Sequence, residues 1–316
     1  MFSYLKKLQN QFWRNYGYHH GWSKLRNLPE VFAIESTNYC NLRCVMCPRG
    51  EPDIMERSLG SMTDDLFAKI LDDIDFYKEP CWFHWFGEPL MNPRLFHQIE
   101  MAKSKGVPDL GISTFTFERV CENARGFLDL RKQLGRSKPK VTLSIIVMEE
   151  TKSQLEPFKQ TWLAAGADEI MFKPFVTWGN QDPQLVQLAS IDSRAEHQKR
   201  LREHPCFLLW KSVVIAWDGR VVPCCYDFDA SVTLGDLKKQ SLREIWNGEA
   251  YVAMRTKELN GCNDKSLCRN CNQAPGFRQN PAWPLPQIGL REDLKTQRKK
   301  REAATEVVRT GEGSRV

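Results

Sequence analysis

VFAIESTNYCNLRCVMCPRG, residues 31–50, opens on a strand-like apolar run and closes on three cysteines, Cys40, Cys44 and Cys47. Their spacing is C-x3-C-x2-C, and the loop begins where the strand-like run stops. Three thiolates in one short loop can surround a small inorganic cluster. A structural zinc site wants a closed tetrahedron of four ligands. Three cysteines with no nearby fourth ligand point instead to a [4Fe–4S] cluster with one iron left open for a substrate or cofactor. Two plainer readings stand beside this one: three unrelated loop cysteines, or a zinc knob that uses His84.

The stretches that follow alternate between two periodicities. LFAKILDDI (66–74) has helical spacing, and CWFHWF (81–86) is a strand that ends at Gly87-Glu88-Pro89. A helix over 93–106, a strand over 109–114, a helix over 117–135, a strand over 141–148, a helix over 154–166 and a strand over 169–175 complete the pattern. Repeated βα units mean an α/β fold with a parallel sheet, whose active site lies at the C-terminal strand ends. Cys40 and Gly87-Glu88 both follow strand ends, so both should face one mouth. Ser113, Ser144 and Lys173 sit on strands near that mouth, and His84 just precedes the Gly87 turn; each has a packing reading as well as a binding one.

Length and composition agree with a folded enzyme-sized chain. There are 316 residues, 41% of them hydrophobic and 27% charged. No apolar run is long enough to span a bilayer, and residues 1–20 lack the apolar core of a signal peptide. The net charge is +6, of which residues 291–316 supply +3 (8 Lys/Arg less 5 Asp/Glu), so no specific nucleic-acid partner is expected. The eleven cysteines are an odd number without an export signal, which fits metal ligands in a cytoplasmic, reducing compartment better than disulfides.

The second cysteine group lies in HPCFLLWKSVVIAWDGRVVPCCYDF (204–228) and SLCRNC (266–271). Asp218-Gly219 between two short apolar runs is a hairpin signal, and 241–259 reads as one helix. Four thiolates drawn from these segments make a closed site that zinc alone could also satisfy. The expected organisation is an N-terminal arm (1–30), a barrel-like α/β unit (31–175), a linker (176–205), a small α+β cysteine domain (206–275) and a Pro-rich, then basic, tail (276–316).

The segments IESTNYCNLRCVMCPRG (34–50) and FGEPLMNP (86–93) resemble the radical S-adenosylmethionine (radical SAM) enzymes. The resemblance implies that Cys40, Cys44 and Cys47 hold a [4Fe–4S] cluster whose open iron binds S-adenosylmethionine (SAM). It further implies that Gly87, Glu88 and Pro89 form the segment that receives the SAM ammonium; Ser113 and Ser144, from their strand positions near the mouth, are candidates for further cofactor contacts. DGRVVPC, LGD, SLREIW and the closing CxxC resemble the shortened SPASM domain called twitch, which implies an auxiliary [4Fe–4S] cluster on Cys206, Cys224, Cys268 and Cys271. Cys225 and Cys262 are left over, and Cys225 could exchange with Cys224. The family chemistry is reductive SAM cleavage to a 5′-deoxyadenosyl radical, here with oxidation or modification of a sugar, aminocyclitol or peptide and a flavodoxin or ferredoxin as reductant. One departure stands out. The family barrel has six βα units, and the 26 residues between Thr114 and Val141 hold one helix and no room for a sixth strand. The expectation is a partial barrel one βα unit short, with helix 117–135 crossing the gap. Two rival readings follow: an iron–sulfur protein impaired in SAM cleavage, and a zinc-binding interaction module.

Overall fold

The computed structural model describes residues 2–44, 47–50, 55–74, 81–107, 110–112, 117–138, 140–175, 187–188, 205–260 and 268. Its central strand is β1 (Glu30–Ile34), in which Val31, Ala33 and Ile34 are all buried. A strand buried on both faces belongs inside a parallel sheet. On one side β1 pairs in parallel with β2 (Cys81–Trp82), and β2 pairs in parallel with β3 (Leu110–Gly111). On the other side β1 pairs in parallel with β6 (Ser212–Ile215), bringing Ile34 opposite Ile215. β6 turns back antiparallel into β7 (Arg220–Val222), which pairs with β8 (Gly235–Asp236). The six strands form one sheet in the order β3-β2-β1-β6-β7-β8, so the sheet runs unbroken from the first cysteine region into the second. The hairpin turn falls at Asp218-Gly219, with Gly219 at φ +89 and Asp218 Oδ1 accepting the Arg220 N–H.

β4 (Thr142–Val147) and β5 (Glu169–Pro174) are parallel to each other but form a separate two-stranded sheet. Between β3 and β4 the described residues contain one helix, α4 (Phe117–Gln133), and no strand. α4 packs with β4, β5 and α5 (Leu155–Ala164): Leu128, Trp162 and Ala167 are its buried centre, and Arg131 pairs with Asp168 at 2.6 Å. The α/β class and the partial barrel are therefore observed, with its five βα strands split three and two. β2 is shorter than the expected run 81–86: after Phe83, whose N–H still donates to the Gly111 carbonyl, the chain turns toward Gly87. Of the expected run 109–114, residues 109, 113 and 114 lie outside the described residues.

The main core spans both cysteine regions. α2 (Asp64–Ile74) buries Leu66, Phe67, Ile70, Leu71 and Ile74, and α3 (Leu95–Ser104) adds Leu95 and Ala102. These meet Trp210 from α6 (Leu208–Lys211), Trp246 from α7 (Leu242–Trp246), and Tyr251 and Met254 from α8 (Glu249–Leu259). The single helix expected over 241–259 is two helices. Gly248 is the extended N-cap of α8, and Asn247 before it exchanges two hydrogen bonds with the Leu25 backbone, at 2.8 and 2.9 Å. α1 (Phe2–His19) is held on the same part of the chain. Tyr18 Oη donates to the Pro205 carbonyl at 2.7 Å, and its ring packs edge-on against Phe207 and Trp210.

Candidate functional site

The exit from β1 is built around a buried carboxylate. Glu35 is 0% exposed, and both its oxygens receive the Arg57 guanidinium in a fork at 2.5 Å. The same oxygens accept the backbone N–H groups of Phe86 (3.3 Å) and Trp217 (3.2 Å). One side chain thus ties together the end of β1, the segment after the cysteine loop, the turn after β2 and the β6–β7 hairpin. A buried carboxylate is tolerable only with a partner and filled lone pairs, and Glu35 has both. The Arg57 guanidinium also lies over the Trp85 ring, 4.7 Å from its centroid.

Beyond Glu35 the chain runs into the cysteine loop along a fixed path. Thr37 Oγ1 donates to the Gly60 carbonyl at 2.8 Å, and Asn38 accepts from Gly60 N–H and donates to the Ser58 carbonyl. The turn after β2 is pressed onto this path. A Cβ at Gly87 would lie 2.2 Å from the Thr37 carbonyl oxygen, so only glycine fits. The close approach that Gly87 permits is to the chain's own backbone. Glu88 N–H then donates to the Tyr39 carbonyl at 2.8 Å, next to Cys40. Glu88 is buried and accepts the Leu90 N–H, capping the short 3₁₀ turn that begins at Pro89.

Cys40, Cys44 and Cys47 lie in the loop that follows. Burial raises the Cys44 thiol pKa, and the neighbouring Cys40 and the Glu88 carboxylate push it the same way. Burial also pushes Cys47 up to about 11, against a backbone hydrogen bond from Arg49 and with help from Cys44 and Cys40. The three thiols and Glu88 therefore share one electrostatic neighbourhood. Among the described residues no three His, Cys, Asp or Glu side chains are gathered closely enough to hold a metal ion as they stand. The donor set itself fits a cationic cluster: grouped, half-buried thiols become thiolates when a metal supplies the positive charge.

The remaining expected residues divide. His84 and Lys173 come together at the mouth, although they sit on β2's exit and on β5. Lys173 Nζ lies 5.4 Å from the Trp82 ring centroid, and the Trp82 and His84 rings meet edge-on at 5.4 Å. Burial first, then the Lys173 charge, pull the His84 pKa down to about 4, against a hydrogen bond to the Gly111 backbone, and its buried Nδ1 has no partner. An ammonium is the wrong neighbour for a zinc-binding imidazole. Ser144 is exposed on β4, opposite Met171 of β5. Ser113 and Cys271 lie outside the described residues, as do Cys262, most of the 176–205 segment and nearly all of the chain after 260.

The second cysteine region meets the first through Trp85. Its indole N–H donates to the Cys225 carbonyl at 2.8 Å, and Phe86 packs edge-on to Phe228. Asp229 accepts the Arg57 N–H at 2.8 Å. Cys47 and Cys225 pack against one apolar cluster built from Ala33, Trp85, Phe86 and Val222. Cys224 has a different neighbour: it interacts electrostatically with Tyr251 of α8. Cys206 N–H donates to the Glu258 carboxylate of α8 at 2.8 Å, and Cys268 packs on the main core. The sequence reading missed Glu35, Arg57, Trp85 and Asp229. The one signal for them was an acidic residue, Glu35, inside an otherwise strand-like run.

The fold is a partial parallel α/β barrel whose first strand feeds a three-cysteine loop and whose sheet continues into a second cysteine-bearing segment. Residues 206–272 match the SPASM family, described as an iron–sulfur cluster-binding domain. The chain is 27% identical to a tungsten-containing aldehyde ferredoxin oxidoreductase cofactor-modifying protein of Pyrococcus furiosus, over 76% of this chain and 88% of that one. It is 23% identical to an S-adenosyl-L-methionine-dependent 2-deoxy-scyllo-inosamine dehydrogenase of Niallia circulans, over 77% of this chain and 92% of that one. Its fold is similar to that of Streptococcus suis SuiB, solved bound to the precursor peptide SuiA, with a TM-score of 0.55 and 12% identity over 80% of this chain and 72% of that one. The chain is thus similar, over about three quarters of its length, to S-adenosylmethionine-dependent enzymes, and residues 206–272 carry the SPASM match. Among the described residues no helix is long and apolar enough to cross a membrane.

Proposed function

We propose that this protein reductively cleaves SAM at a [4Fe–4S] cluster held by Cys40, Cys44 and Cys47, and oxidises or modifies a small polar or peptide substrate. The observation that carries the reading is the clamp at Gly87: it holds Glu88 against the backbone entering the loop, where its carboxylate acts on Cys44. A [4Fe–4S] cluster held by Cys40, Cys44 and Cys47 would supply the one-electron reduction that SAM cleavage needs, and so the radical chemistry that acts on the substrate. The chain's own contribution is position. Gly87 sets the depth of the turn, and the Glu88 carboxylate offers a partner to the SAM ammonium. Lys173 and His84 line the mouth beside Trp82 and orient the substrate through its polar groups. Cys206, Cys224, Cys268 and Cys271 hold an auxiliary [4Fe–4S] cluster, with Cys225 left to pack on Trp85. A substrate of the aminocyclitol, sugar or peptide class is supported by what the relatives are named for: an inosamine dehydrogenase and a protein bound to its precursor peptide. The electron donor is a small reductant such as flavodoxin or ferredoxin, and the working compartment is the cytoplasm.

The separate β4–β5 sheet favours a second reading, an iron–sulfur protein in which the missing βα unit has cost SAM cleavage. Both are tested by 5′-deoxyadenosine formation from SAM, using protein reconstituted with iron and sulfide without oxygen and reduced with dithionite. Product above that of a Cys40→Ala/Cys44→Ala/Cys47→Ala control is expected. No product from fully iron-loaded protein would favour the second reading. Zinc in place of iron in protein isolated without oxygen would favour an interaction module.

A further inference from the structure

α8 carries three polar residues at helical spacing, Tyr251, Arg255 and Glu258, on the face it turns toward the second cysteine region. Glu258 fixes the Cys206 backbone, as described above. Arg255 is 0% exposed, yet its described acceptors are all neutral carbonyls: Leu209 at 2.8 Å, Ser23 at 3.1 Å and Trp246 at 2.8 Å. The guanidinium is stacked between the rings of Trp246 (4.1 Å) and Tyr251 (4.7 Å), and its Nη2 has no partner. Tyr251 is also 0% exposed, and its hydroxyl has no partner.

An orphaned hydroxyl and an uncompensated guanidinium side by side in a core are each costly. Together they describe a place where negative charge belongs. No Asp or Glu forms a described ion pair with Arg255; Glu258, on the same helix, accepts the Cys206 N–H. The Cys224 thiol acts electrostatically on Tyr251, and Leu209, which Arg255 holds, lies three residues after Cys206. A cluster ligated by four thiolates is net negative, which accounts for both orphans at once. This fit extends the reading above, on which it rests: the donor set of Cys206 and Cys224 is backed by groups that need an anion.

We propose that Tyr251 and Arg255 are the positioning pair of the auxiliary cluster. Tyr251 Oη donates a hydrogen bond to the Cys224 sulfur, and the buried Arg255 guanidinium offsets the cluster's charge. Hydrogen bonds to cluster sulfurs and nearby positive charge both favour the reduced state, so the pair raises the cluster's reduction potential.

The test is a redox titration followed by electron paramagnetic resonance. It uses the full chain with Cys40→Ala/Cys44→Ala/Cys47→Ala, so that only the auxiliary cluster gives a signal. Tyr251→Phe is added to that background; it removes one oxygen and keeps the ring against Trp246. The expected result is full iron loading and a midpoint potential shifted to more negative values. Loss of an exchangeable-proton coupling to the reduced cluster is expected with it, an effect that a packing role would not produce. An unchanged potential in fully loaded Tyr251→Phe protein would overturn the pairing alone. Absence of any iron–sulfur signal in the triple-alanine background would overturn both the auxiliary-cluster reading and the inference built on it.

Discussion

The two cysteine regions are held in place by different means. The first is held by close approach of backbone to backbone: Gly87 is pressed onto the Thr37 carbonyl, Glu88 N–H donates to the Tyr39 carbonyl, and the short Thr37 and Asn38 side chains bond the Ser58 and Gly60 main chain. The second is held by side chains. Glu258 grips Cys206, Arg255 grips Leu209, and Tyr18 grips Pro205. A site that must present an open metal position needs a rigid frame with few side chains in the way. A closed site can be wrapped by a helix and an arm. The two regions should therefore fail separately, except where Glu35 and Arg57 join them.

The largest separation is expected from Gly87→Ala. The added carbon has nowhere to go, because its nearest neighbour is a carbonyl oxygen at 2.2 Å. Relieving that clash should cost on the order of 3 kcal/mol locally and displace Glu88 from the loop. Loss of 5′-deoxyadenosine formation is expected, with iron at the auxiliary site retained. Equal loss of both clusters would show that the two regions are not independently framed.

Arg57→Met attacks the joint. It leaves Glu35 buried with its fork removed, a change worth about 3–5 kcal/mol of stability for a buried pair. Because Glu35 also holds Phe86 and Trp217, both cysteine regions should loosen together. The paired variant Glu35→Gln/Arg57→Met should recover much of the lost stability in denaturant unfolding. No recovery would mean that the Arg57 side chain acts through Trp85 instead.

His84 gives the mouth a pH dependence of its own. Its folded pKa, about 4, lies below the ordinary histidine value of 6.5. Between those two values the unfolded chain takes up a proton that the folded chain refuses. Stability should therefore be full above pH 6.5 and fall as the pH drops toward 4. His84→Gln should flatten that part of the profile in thermal unfolding followed against pH. An unchanged slope would assign the loss to other groups.

How far these residues could be foreseen follows the same division. The three-cysteine loop and the Gly87 turn were legible because their chemistry lies in short spacings after strand-like runs. The five βα strands were legible from alternating periodicities. The partner of β1 on its second side was not, since a strand buried on both faces says nothing about which distant strand covers it; Ile215, the partner of Ile34, lies 181 residues further on (215 less 34). Glu35 and Arg57 each look like a solvated charge until the fold brings them together. On α8, Tyr251, Arg255 and Glu258 look like the wet face of a weakly amphipathic helix, although Tyr251 and Arg255 are fully buried. The break at Asn247-Gly248 depends on Leu25, which no local pattern could supply.

The smallest effect is expected where the arm meets the second region. Tyr18→Phe removes one hydrogen bond, from the hydroxyl to the Pro205 carbonyl at 2.7 Å, and leaves the ring packing on Phe207 and Trp210 intact. A neutral, partly buried bond of this kind is worth about 1 kcal/mol. The loss should appear as a modest fall in unfolding stability. Hydrogen exchange should rise across 205–211, next to Cys206, and stay unchanged around Cys40. A rise at both places would mean that α1 supports the whole sheet through the Arg14–Glu30 ion pair at the start of β1. The arm would then belong to the joint made by Glu35 and Arg57, and the contrast between a backbone-framed and a side-chain-framed region would hold only for the cysteines themselves.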